Sequence, residues 1–232
     1  EDSDAGTADL IRELGLAAPG TDFESDLQYI SIIGSIEGHI ALPMENKTTK
    51  YEHLIPQLIA VEENPKLRGL LVILNTMGGD VEAGLALAEM IATLSKPTVS
   101  LVLGGGHSIG IPLATATDYS FIAGTATMTL HPIRTTGLVI TAETTFDYMR
   151  KTQDRVIDFI AGHSRATRKR VTELMNCSDN MSNDVGTILF GKEAVDAGII
   201  DAVGGVSQAL GELRRRVAKV DELEKEISIS TN

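Results

Sequence analysis

One window, Val99 to His131, constrains the fold more than any other: VSLVLGGGHSIGIPLATATDYSFIAGTATMTLH. An apolar run, Val99 to Leu103, enters Gly104, Gly105 and Gly106, passes His107, Ser108, Ile109 and Gly110, and continues into small residues with Pro112 near their start. An apolar run, a glycine turn and an early proline describe a strand, a tight turn and a helix start. Two further strand-like runs follow, Tyr119 to Ala123 and Ala126 to Leu130, the second ending at His131 and stopped by Pro132. A serine at a strand-to-helix turn sits where free backbone N–H groups converge, a setting that favours a nucleophile whose intermediate carries an oxyanion.

The rest of the chain fits the same architecture. Leu27 to Ile33 (LQYISII) alternates, and Leu70 to Leu74 is a short apolar run; both read as strands, the latter buried on both faces together with Val99 to Leu103. Helical spacing marks Tyr51 to Glu62 and Val81 to Leu94, where Gly84, Leu87, Ala88, Ile91 and Leu94 share a face. Strand and helix in alternation predict an α/β fold with a parallel sheet and crossovers. From Thr141 to Met175, Phe146, Met149, Val156 and Ile160 recur amid charged residues, which predicts an amphipathic helix pair projecting from the sheet or, on periodicity alone, an ordinary packing helix. The tail after Gly205 (ELRRRVAKVDELEKEI) predicts a solvated, charged helix over 206–232, and residues 1–26 predict an acidic arm.

Charge and composition narrow the function. The 232 residues carry 20 Lys and Arg against 32 Asp and Glu, a net −12, which argues against a nucleic-acid partner. Eight of the acids and one Arg lie in residues 1–26, so the remaining 206 residues carry only −5. Absence of Trp argues against base-stacking platforms. No apolar run approaches the roughly 20 residues of a membrane span, and no basic, apolar leader opens the chain, so a cytoplasmic protein is expected. The single Cys177 and the absence of zinc-ligand spacing predict no disulfide and no metal.

Gly106 to Gly110 reads G-H-S-I-G, the nucleophile-elbow string, although a glycine turn with Ser108 as a helix cap would read the same. A serine needs a base, and His131, at a strand end, is the natural one. His107 adjoins Ser108 but leaves the backbone in another direction; His39, His53 and His163 read as surface or packing residues. The loop Asn75-Thr76-Met77-Gly78-Gly79-Asp80 matches neither a dinucleotide nor a Walker pattern, and Asp80 suits a helix cap. In a parallel sheet this loop and the Ser108 turn share the carboxyl edge, where their N–H groups could form one oxyanion hole.

Four ordered motifs, NTMGGDVEAGL, GGHSIG, TMTLHP and GKEAVDAGIID, resemble the caseinolytic (Clp) protease family of serine peptidases over Leu27 to Gly205. Within it, IGSIEGHIALP, NKTTKYEHLIP and GGGHSIG are similar to a translocation-enhancing branch known from spore-forming bacteria. The resemblance implies a ClpP/crotonase fold of repeated ββα units with a helical handle near 141–175. It implies Ser108 as nucleophile, His131 as base, and Gly79 and Ile109 as oxyanion donors with Gly78 beside them. Counting back from Glu193-Ala194-Val195 puts the family's catalytic Asp at Gly186; Asp184 is the nearest carboxylate, against Asp179 or a dyad. Thr76-Met77 replaces the usual Ser-Pro, and Ile109 a common Met. The implied reaction is peptide-bond hydrolysis through an acyl-enzyme, without cofactor, on peptides or unfolded protein inside a homo-oligomeric ring such as stacked heptamers, with a Clp-type ATPase as a family partner. Competing readings are a Ser/Lys peptidase using Lys96 or Lys151, an acyl-CoA enzyme using Asp80 or Glu82, and a non-proteolytic ring subunit.

Overall fold

A computed structural model describes residues 25–134, 141–178 and 184–230. In chain order the elements are β1 (Leu27–Glu37), β2 (Thr48–Lys50), α1 (Tyr51–Glu63), β3 (Gly69–Gly79), α2 (Val81–Ala92), β4 (Thr98–Gly106), α3 (Gly110–Thr115), β5 (Tyr119–Ile122) and β6 (Thr127–Leu130). After these come α4 (Ala142–Gly162), α5 (Arg168–Met175), β7 (Thr187–Phe190), α6 (Lys192–Asp196), β8 (Ala202–Val203) and α7 (Val206–Ser230). Strands pair in the order β2-β1-β3-β4-β5-β8, all parallel. Beyond the register shift between Leu74 and Thr76, the end of β4 pairs β6 through Gly105 and Thr127, and β6 carries β7 antiparallel. The expected mixed α/β architecture with a parallel sheet is therefore present.

Side chains alternate across each strand, so the two sheet faces collect different cores. Ile30, Ile32, Leu70, Val72, Leu74 and Val102 face α1, α2 and α3, in a core that also takes Val156, Ile160, Val171 and Leu174 from α4 and α5. Leu27, Leu71, Val99, Leu101 and Phe121 face the other way, onto Ala209, Leu213 and Val217 of α7. That contact corrects the expectation of a solvated terminal helix. Ala209, Leu213 and Val217 recur every fourth residue among arginines and lysines, a stripe narrow enough to be outweighed by its charged flanks. The Arg216 guanidinium lies over the Tyr119 ring, 5.3 Å from its centroid, at this second core.

Burial changes along α4. Phe146 and Tyr148 in its first turns are 68% and 62% exposed, whereas Thr152, Val156, Ile157, Phe159 and Ile160 are buried. Thr141 caps α4 by accepting from Thr144 N–H, and Thr167 caps α5 by accepting from Arg170 N–H. β2, β7 and β8 have no counterpart in the sequence reading, because runs of two to four residues carry too little periodicity. Residues 1–24 of the expected acidic arm lie outside the described residues. Among the described residues no helix is long and apolar enough to cross a membrane.

Candidate active site

β4 ends at Gly106 and α3 starts at Gly110, leaving His107, Ser108 and Ile109 to make the turn. Ser108 adopts φ +55°, a left-handed conformation taken by no other non-glycine among the described residues. Such a backbone is costly for a residue with a side chain and recurs where a nucleophile must be presented. The helix-cap reading of Ser108 fails: Ile109 occupies the cap and no side chain bonds the first turn. The turn is fastened on both sides, His107 N–H donating to the Thr76 carbonyl (3.1 Å) and Ser108 N–H to the Thr129 carbonyl (2.9 Å).

Close approach makes the neighbouring glycines necessary. At Gly78 (φ +93°) a Cβ would stand 2.7 Å from Ser108 Cβ, and at Gly84 2.4 Å from Ile109 Cγ1. The loop from β3 and helix α2 thus grip the nucleophile turn without side chains between. Gly78 N–H donates to Thr76 Oγ1 at 3.0 Å, while Thr76 Oγ1 donates to the Gly34 carbonyl at 2.6 Å. The Gly78 N–H, expected beside the oxyanion donors, is thus engaged by a neighbouring hydroxyl.

Ser108, His131, Gly79 and Ile109 line one cavity of about 140 Å³. The apolar part of its lining includes Val81, Ile111, Ile133, Val156, Ile160 and Met175, supplied by four helices and the segment after β6. Residues separated by more than fifty positions along the chain therefore meet at the carboxyl edge of the sheet. Ile109 N–H is skipped by the turn, whose bonds run from Gly110 N–H to the His107 carbonyl (2.8 Å) and from Ile111 N–H to the Ser108 carbonyl (3.0 Å).

His131 Nδ1 lies 2.7 Å from the Pro132 carbonyl. A carbonyl oxygen only accepts, so Nδ1 carries the proton and Nε2 is left as the basic nitrogen. No hydrogen bond joins Ser108 Oγ to His131 among the described residues; such bonds are commonly long in ligand-free sites and tighten around substrate.

Asp184 is not brought to His131. Its carboxylate pairs with Arg134, which also lines the cavity, and accepts from Val185 N–H at 2.8 Å. At Gly186 (φ +143°) a Cβ would stand 2.3 Å from the Leu130 carbonyl oxygen and 3.0 Å from His131 Cβ. The backbone beside the imidazole thus leaves no room for a side chain at that position. Asp179 lies outside the described residues.

The groups required by the competing enzymes are committed elsewhere. Lys96 Nζ donates to the Val61 and Asn64 carbonyls at 2.5 and 2.7 Å, closing the end of α1, and Lys151 is exposed on α4. Asp80 caps α2 by accepting from Ala83 N–H at 2.8 Å. Glu82 pairs with Arg155 at 2.7 Å, and that guanidinium holds its carboxyl below the usual range. None of the four lines the Ser108 cavity. His39 meets the Tyr51 ring edge-on, His163 stacks on Phe159 with ring centroids 4.1 Å apart, and His53 sits on α1. No cluster of His, Cys, Asp or Glu among the described residues could hold a metal. Sequence reasoning missed the Pro132 carbonyl and Arg134: a main-chain acceptor has no side-chain signature, and an isolated Arg after a strand is unremarkable until the cavity forms around it.

The Clp protease family model matches residues 25–207. The chain belongs to the Clp protease family. It is 53% identical to "Translocation-enhancing protein TepA" of Halalkalibacterium halodurans over 219 residues, covering 94% of this chain and 86% of that protein. It is 25% identical to "ATP-dependent Clp protease proteolytic subunit" of Streptococcus uberis over 162 residues, 65% of this chain and 76% of the other. The Clp match spans β1 to the first turn of α7, so every residue lining the Ser108 cavity falls inside the Clp domain.

Proposed function

We propose that the chain is a serine endopeptidase acting through an acyl-enzyme. The observation that carries this reading is the cavity shared by Ser108, His131, Gly79 and Ile109, with Ser108 held at φ +55° on a strand-to-helix turn. His131 Nε2 removes the Ser108 proton as Oγ attacks a peptide carbonyl, and passes it to the departing amine; water then attacks the acyl-enzyme by the same route. The N–H groups of Gly79 and Ile109 receive the oxyanion, each worth roughly 3 kcal/mol of transition-state stabilisation. The Pro132 carbonyl orients the imidazole, and Asp184 serves as third member of a triad only on exchanging Arg134 for His131.

Family membership supports a homo-oligomeric ring enclosing these sites, with α4 as the handle, and peptides or unfolded protein as substrate. The name of the Halalkalibacterium relative supports a role in protein translocation, and that of the Streptococcus relative a Clp-type ATPase as feeder. Cytoplasmic location belongs to the same proposal.

Labelling with a fluorophosphonate tests the reading. Wild type is expected to take the label and Ser108→Ala to lose it, with peptide hydrolysis lost in parallel; a wild-type chain that neither labels nor cleaves casein-derived peptides is instead the inert ring subunit.

A further inference from the structure

His107 is the half-buried titratable group beside the site to which the proposed reaction gives no task. Its ring does not line the cavity. Nδ1 lies 2.9 Å from Thr129 Oγ1, two residues before His131 in the β6 segment. The next residue, Ser108, donates its N–H to the Thr129 carbonyl at 2.9 Å. Thr129 therefore holds the nucleophile turn twice, once through backbone and once through the His107 side chain. Space for that ring is built in: a Cβ at Gly105 would stand 2.5 Å from His107 Nε2, so the middle glycine of the triplet is what admits the imidazole.

We propose that His107 is a positioning residue which, through Thr129, ties the turn carrying Ser108 to the strand delivering His131 and so sets the approach of hydroxyl to imidazole. This role rests on the serine-peptidase reading. β4 and β6 pair only at Gly105 and Thr127 near this point, so few other bonds fix the two segments against each other.

Charge adds a second consequence. Burial holds the His107 imidazole below the ordinary histidine range, and the neighbouring His131 pushes the same way. The facing groups are the uncharged Thr129 and Gly105, the Thr76 carbonyl, and His131, the titratable group whose charge acts on it. During acylation His131 becomes an imidazolium as it takes the serine proton, and a positive charge on His107 would oppose that. Neutral His107 thus favours the transition state, and a positive charge there would slow the reaction.

Four proteins decide it: wild type, His107→Leu, His107→Asn and Thr129→Val, each checked for an unchanged thermal midpoint and oligomeric mass. The readouts are kcat and KM for a fluorogenic peptide between pH 5 and 8, and the rate of fluorophosphonate labelling. His107→Leu and Thr129→Val are expected to lose about tenfold or more in kcat and labelling rate with little change in KM. His107→Asn, whose amide can bond Thr129, is expected to recover most of that loss even if the leucine variant fails to fold. Wild-type labelling in His107→Leu, or no recovery in His107→Asn, overturns the role of His107 while leaving the peptidase reading intact. A wild-type protein that neither labels nor cleaves overturns both.

Discussion

At the residue scale, the proposed catalytic site differs from a full serine triad in what holds the imidazole. Where a buried carboxylate does this, its loss removes about 10⁴-fold of kcat because the wrong tautomer forms. Here the Nδ1 proton already has an acceptor, the Pro132 carbonyl at 2.7 Å, and the Asp184 carboxylate is paired with Arg134 across an exposed surface. Asp184→Asn is therefore expected to lower kcat less than about tenfold, measured on a fluorogenic peptide at neutral pH. A loss approaching the full carboxylate effect would instead assign Asp184 the third place and make the Arg134 pair a resting arrangement. The exposed ion pair itself contributes about 1 kcal/mol or less to stability, so either partner can exchange it cheaply.

Among the elements, α7 departs furthest from its sequence. ELRRRVAKVDELEKEI looks like a surface helix, and most of its positions are, but Leu213 is fully buried and Val217 nearly so against Leu71, Val99 and Phe121. Gly69 completes the contact, since a Cβ there would stand 2.9 Å from Leu213 Cδ1. Burying a leucine is worth roughly 1.5–3 kcal/mol, and deleting it leaves a cavity besides. Leu213→Ala is expected to cost about 2–4 kcal/mol in urea unfolding; a change below about 0.5 kcal/mol would mean that α7 is detached in solution. By contrast β3 and β4 were legible from their apolar runs alone, because strands buried on both faces need no alternation to be recognised.

For the whole molecule, the first turns of α4 stand out. Phe146 and Tyr148 are exposed on a helix whose second half is packed, an arrangement that puts large apolar rings where another chain can cover them. In the proposed ring this is the handle surface. Phe146→Glu combined with Tyr148→Glu is expected to shift the sedimenting species to smaller particles while leaving circular dichroism unchanged. An unaltered sedimentation profile would place the assembly contacts elsewhere. The acidic balance belongs mainly to residues 1–26, so the body of the protein is nearly neutral and long-range repulsion between subunits is modest.

By itself the sequence determined the alternation of strands and helices, the strand-to-helix turn bearing Ser108, the strand end bearing His131 and the family motifs, because these are written in local periodicity, turn chemistry and residue order. Tertiary structure alone decided where each backbone group goes, with Gly78 N–H bonded to Thr76 and Gly79 lining the cavity, and where each carboxylate goes, with Asp184 drawn to Arg134. It also decided that His107 reaches Thr129 and that α7 covers the second sheet face. The physical reason is common to all four: a hydrogen-bonding or apolar group declares its chemistry in the sequence, but its partner is set by distances between segments that only the folded sheet brings together.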